Sequence, residues 1–136
     1  MTKVPDRLNI DKADRELYDH DAMSEIFEGK TRKEQFLFAM AMGFKNQVKR
    51  SLESKEGFFL AKDMNPGDEA LIDAVAIHDS GPDVLANREE VFRIAEEYAH
   101  AGIRLLYDRV TSSQPGSFYK RFEIELFDLL KALERD

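Results

Sequence analysis

Lys30-Thr31-Arg32-Lys33-Glu34 sets three cations around a Thr-x-x-Glu capping box. Free amides at a helix start, reinforced by positive side chains, make a small anion site suited to a backbone phosphate. The pentapeptide opens the one basic stretch of the chain. Between residues 30 and 62, eight basic side chains oppose three acidic ones, a balance of +5, whereas the whole chain carries −7. Residues 1–29 sum to −4 and residues 63–136 to −8. Lys45, Lys49 and Arg50 carry the positive charge beyond the helix. Two kinds of partner suit such an island: nucleic-acid phosphate approached on one face, or an acidic surface of this protein, of a second copy, or of another protein. A pI near 5.0 argues against indiscriminate polyanion binding, because a duplex is repelled at long range.

Other chemistries find less support. The three histidines, His20, His78 and His100, show no spacing that puts two ligands on one helical face. Asp19-His20-Asp21 reads as solvated surface, His78-Asp79 as a helix end, and His100 as a residue at the rim of a packed helix. An enzyme working through His78 or His100 is a third reading, behind nucleic-acid and protein binding. The chain has no cysteine and no Gly-x-Ser-x-Gly elbow. Gly29-Lys30-Thr31 holds only the last letters of a phosphate-binding loop, without its first glycine or preceding strand. Glu96-Glu97 and the pair Glu123 and Glu125 read as wet helix faces. No catalytic residue, metal ligand or cofactor is assigned.

The elements that must position the island read as one mainly α-helical domain over residues 1–136, with about five helices in a bundle. Val4 to Ile10 alternates as a short strand, an edge or a pairing surface across a dimer. Lys12 to Phe27 carries apolar residues at helical spacing behind Asp11 and stops before Gly29. Arg32 to Phe44 is apolar around nearly its whole circumference, which marks a central core helix or an oligomer contact. Asn46 to Met64 reads as a long loop with one extended piece at Phe58-Phe59-Leu60-Ala61. Asn65-Pro66 starts a helix to about His78, and Asn87-Arg88-Glu89-Glu90 starts another through Val110, with Gly102 as its weak point. After a loop at 111–116, Ser117 caps a last helix carrying Phe118, Phe122, Leu126, Phe127, Leu129, Leu130 and Leu133. There is no long apolar run to cross a membrane and no signal core, so a cytoplasmic location is expected.

The order strand, helix, Gly-x-Thr turn and apolar helix resembles the ribbon-helix-helix plan over the first third of the chain, in which the second helix starts on a phosphate. A longer resemblance rests on Lys30-Thr-Arg-Lys-Glu-Gln-Phe-Leu-Phe-Ala-Met-Ala-Met-Gly-Phe-Lys45, Ser54-Lys-Glu-Gly57, the acidic Pro66 helix, and Ile94-Ala-Glu-Glu-Tyr-Ala99 with Gly102-Ile103. These look like the small proteins associated with DNA-phosphorothioation (Dnd) modification and restriction systems, over roughly residues 25 to 107. The resemblance implies a context, among the other proteins of such a system, more than a mechanism, and the expected role there is a non-enzymatic accessory. It supplies no catalytic residues, and the last helix lies outside it. The expectation is therefore a phosphate contact at Lys30, Thr31, Arg32 and Lys33, extended by Lys45, Lys49 and Arg50. The competing expectation is a protein adaptor or self-associating subunit that touches no DNA.

Overall fold

The computed structural model describes residues 4–112 and 117–134. Among them it is mainly helical, with a two-stranded antiparallel sheet near the amino terminus. Strand β1 (Arg7–Asp11) buries the alternating Leu8 and Ile10 and pairs with β2 (Lys55–Leu60), the extended piece of the expected loop. The register runs from Arg7 opposite Leu60 to Asp11 opposite Lys55, with a bulge between Leu8 and Asn9. The extra residue lets two adjacent rings both turn inward: Phe58 packs on Tyr18 at 4.6 Å and Phe59 on Phe36 at 5.3 Å. The strand thus pairs within its own chain, where a dimer ribbon would have paired it with a second copy.

The single helix expected from Lys12 to Phe27 is instead a chain of short pieces: 3-10 turns at Lys12–Asp14 and Asp21–Met23, and helices α1 (Arg15–Tyr18) and α2 (Ser24–Phe27). The break lies at Asp19-His20-Asp21. His20 is extended there, and its Nδ1 accepts the amide of Ala22 at 3.0 Å, so a side chain takes over the backbone bond that a continuous helix would have made. Tyr18, Met23, Ile26 and Phe27 still reach the core. Gly29, at φ 77°, turns the chain into the next helix.

Helix α3 (Arg32–Lys45) is the central core helix, buried along most of its circumference. Helix α4 (Pro66–Ser80) starts on an Asn65–Asp68 capping box and runs two residues beyond the expected stop at His78, to a cap at Gly81. Helix α5 (Arg88–Ser112) starts where the side chain of Asn87 accepts the amide of Glu90 at 3.1 Å. Thr111 and Ser112 belong to α5. Residues 113–116 lie outside the described residues, as do the side chains of Ser117, Phe118 and Phe122. Helix α6 (Ser117–Glu134) rests on α3 and α4. The expected count of five helices becomes six because the first one is divided.

The main packing contact is α3 on α5. A Cβ at Gly102 would stand 1.8 Å from the Ala39 carbonyl oxygen, and one at Gly43 would stand 2.1 Å from that of Tyr98. Gly102 is therefore the point of closest approach between two helix backbones, which corrects its reading as a weak point. Glu96 and Glu97 are buried, not wet: β1 crosses α5 and places the amide and side chain of Asn9 on Glu96 Oε2 at 2.8 and 3.2 Å, while Arg93 holds Glu97 at 2.6 Å. Glu123 and Glu125 have side chains outside the described residues.

Gly102→Ala and Gly43→Ala are each expected to cost about 1–3 kcal/mol, because the clashing atoms are backbone and the helices must separate. Urea unfolding, followed by helix circular dichroism, checks this, with a lowered midpoint at unchanged slope as the expected result.

Candidate functional site

The start of α3 is built as a closed unit. Thr31 Oγ1 accepts the Glu34 amide at 3.1 Å, and Glu34 Oε1 accepts the Thr31 amide at 2.9 Å. The backbone bond from Thr31 holds the Glu34 carboxyl below its ordinary range. Gln35 Nε2 donates to the Lys30 carbonyl at 3.1 Å. A phosphate arriving here meets a carboxylate already seated on the helix start.

Arg32 donates to Asp19 at 2.7 Å and to Gln35 at 3.0 Å, and its guanidinium lies 4.9 Å from the Phe58 ring centre. Lys33 pairs with Asp68 at 2.8 Å, and that bond raises its pKa. Lys49, from the turn after α3, pairs with Asp79 of α4 at 2.9 Å and lies over the Tyr98 ring. Arg50 donates its amide to the Glu97 carbonyl at 3.0 Å and leaves its side chain exposed. Lys30 and Lys45 are exposed too. The seven residues do not form one patch: Lys30 to Lys33 lie at the first turn of α3 and Lys45 to Arg50 at or beyond its last, a helix length of about 20 Å apart. Acidic residues from four separate segments, Asp19, Glu34, Asp68 and Asp79, meet much of the positive charge.

A polar centre that the sequence reading missed lies beneath β1. Asp14 is fully buried; its Oδ2 stands 2.5 Å from His100 Nδ1, and its Oδ1 3.2 Å from Arg104. Asp11 Oδ1 caps the Ala13 amide at 3.0 Å and its Oδ2 accepts the Glu53 amide at 2.7 Å. Burial pushes the Asp11 carboxyl up, but these backbone donors bring it below its usual value, whereas burial leaves Asp14 raised. His100 is 3% exposed, so it lies in the interior, not at the rim. The group ties the amino-terminal segment and the residue 53–54 turn to α5, and solvent does not reach its imidazole. The available signal was Asp11, Asp14, His100 and Arg104 at helical spacing on otherwise apolar faces, which names candidates but no pairing. His78, at the end of α4, stands edge-on to Phe44 at 5.8 Å. Among the described residues no cluster of His, Asp and Glu is placed to hold a metal ion, and no helix is long and apolar enough to cross a membrane.

A third arrangement is apolar. A cleft of about 370 Å³ opens between α2, α3, α4 and α6, walled by Phe27, Leu37, Phe38, Leu71, Leu126 and Leu130, with Lys30 and Glu34 beside it. On the outer side of α6, Ile124 is 62% exposed and Phe127 58%. Leu133 of the same helix is buried, so α6 anchors at its end and presents large apolar side chains along its middle.

Tyr98 reports on the Lys49–Asp79 pair at the far end of α3. Its hydroxyl donates to Asp79 at 2.7 Å, and burial together with that carboxylate raises its pKa from 10.0 to about 12. The sign follows: the folded state keeps the phenol proton that the unfolded chain releases, so the contribution is complete below pH 10.0 and fades as pH rises through about 12. Tyr98→Phe is expected to flatten stability against pH across that window and to cost about 1 kcal/mol at neutral pH, both read from urea midpoints.

The family model for DNA sulphur modification system-associated protein 4 matches residues 7–121. No curated protein and no solved structure matches the chain.

Proposed function

We propose that this chain, which belongs to the DNA sulphur modification system-associated protein 4 family, serves its system as a non-enzymatic accessory that docks on another protein. The observation that carries the reading is the apolar cleft walled by Phe38, Leu71, Leu126 and Leu130, next to a helix start already occupied by Glu34. A cleft of that volume between helices suits an amphipathic helix laid in with anchors at helical spacing. Lys30 and Glu34, one turn apart at the cleft, favour an occupant with charges in the opposite order, and the net charge of −7 favours one that is basic overall. The occupant is thus a basic amphipathic helix of a protein in the same system. Most of the cleft comes from the matched region, and only Leu126 and Leu130 among its lining residues lie beyond residue 121.

Direct contact with DNA phosphate is the second reading, favoured by the exposed Lys30 and Arg50. It requires two separate contacts at opposite ends of α3, since Arg32, Lys33 and Lys49 are engaged with Asp19, Asp68 and Asp79.

Purified components of the modification system, titrated one at a time by calorimetry, separate the two. Leu71→Ala with Leu130→Ala, both on the cleft wall, is expected to weaken docking by about 2 kcal/mol or more, some thirtyfold in Kd, as for an interface anchor. Arg50→Glu, beyond the far end of α3, is expected to leave docking within a few-fold, while Lys30→Glu with Arg50→Glu reverses two exposed cations that DNA phosphate would meet. A salt-steep DNA isotherm that is lost in the Lys30/Arg50 variant overturns the docking reading in favour of phosphate contact. Self-association abolished by the Leu71/Leu130 variant overturns the assignment of the occupant and gives the cleft to a second copy.

A further inference from the structure

A second cleft, of about 390 Å³, lies between the amino-terminal strand and the first half of α5, away from the α6 groove. Glu89, Phe92 and Glu96 succeed one another at three- and four-residue spacing on α5 and so share one helical face. Val4 and Pro5 bound the cleft with the Phe92 ring, and Asn9 and Lys55 border it from the two strands. Its deepest polar group is Glu96, 3% exposed. Both donors of Asn9, the backbone amide at 2.8 Å and the side-chain amide at 3.2 Å, fall on Oε2. Among the described residues no donor is placed on Oε1. A buried carboxylate with one oxygen satisfied and the other facing an open cleft is a half-built receptor for an N–H donor.

Charge narrows the ligand. The carboxylates at the cleft are Glu96, Glu89 and Asp6. Of the cations, Arg93 is already held between Glu90 and Glu97, and Lys55 is the one that approaches Glu96 from β2. The surplus is negative, and the walls beside it are apolar. The geometry points to a binding site for an organic cation with an apolar stem, a guanidinium or alkylammonium, whose N–H group donates to Glu96 Oε1 while its methylenes lie against Phe92, Val4 and Pro5. Guanidinium suits it best, because its planar fork serves a carboxylate that is fixed in place. Two sources carry this chemistry: an arginine side chain presented by a protein, or a free polyamine.

The site has a built-in proton linkage. Burial raises the Glu96 pKa, Asn9 and Lys55 oppose that shift, and the neighbouring Glu97 adds to it. A bound cation stabilises the carboxylate, so binding expels a proton wherever the empty site holds one, and affinity rises with pH through the raised Glu96 value.

The test uses the full chain, with N-acetyl-arginine amide, spermidine and the neutral N-acetyl-glutamine amide as probes, followed at the Asn9 amide resonance. Saturable shifts with the cations and none with the neutral amide are expected. Tightening as pH rises is expected as well, and whichever cation binds more tightly identifies the source. Glu96→Gln keeps the shape and an acceptor for Asn9, and should weaken cation binding about tenfold or more. Lys55→Gln, on an exposed strand position, removes a competing cation and should tighten binding about threefold. Binding unchanged in Glu96→Gln, affinity flat with pH, or no saturable shift with either cation overturns the proposal. None of these outcomes bears on docking at the α6 groove, where the Leu71/Leu130 variant is the readout.

Discussion

The contact of α3 with α5 at Gly43 and Gly102 sets the rest of the molecule. Neither glycine leaves room for a methyl group, and the atoms in the way are carbonyl oxygens of the opposing helix, which cannot turn aside as side chains do. Backbones this close expose each helix to the other along most of its length, so α3 can be apolar on nearly every side and still be covered. The remaining surface of α3 takes β2 and α6, and that of α5 takes β1 and the amino-terminal turns. Two short strands, marginal by themselves, gain their footing from this core.

The charge pattern along the chain resolves largely as internal pairing. The basic stretch and the acidic flanks are adjacent in sequence but become complementary partners in space: Arg32 with Asp19, Lys33 with Asp68, Lys49 with Asp79. Exposed pairs of this kind contribute little stability individually. Their consequence here is electrostatic, since they reduce the field that a positive run in the sequence suggests. What stays open is an apolar cleft with large side chains exposed beside it on α6, and a separate polar cleft floored by Glu96. The chain belongs to a family defined by association with a DNA sulphur modification system, and those two surfaces are the ones on which the proposed contacts rest.

Sequence pattern found most of the fold and less of the site, for one reason. The capping box at Thr31, the Asn65-Pro66 helix start, the glycine stop at Gly29 and the apolar circumference of α3 are local, and each survived because the residues that satisfy it lie within one helical turn. The helix expected across Lys12 to Phe27 failed where the local rule met a competitor, the His20 side chain. Glu96, Glu97, Gly102 and His100 were misjudged because their surroundings come from residues far away in the chain: Asn9 lies 87 positions from Glu96, and Asp14 86 from His100. Periodicity places such residues on a helix, and says nothing of what crosses it.

By itself, then, the sequence determined the helical class, where most elements start and stop, the apolar character of α3 and α6, and the family to which the chain belongs. These depend on hydrogen bonds and spacings within a few residues. Only the tertiary structure decided which charges are already matched, which glycine is a contact, which carboxylates are buried, and where apolar surface remains open. Each of those depends on which distant segment lies within a few ångströms, a quantity that a one-dimensional pattern does not contain.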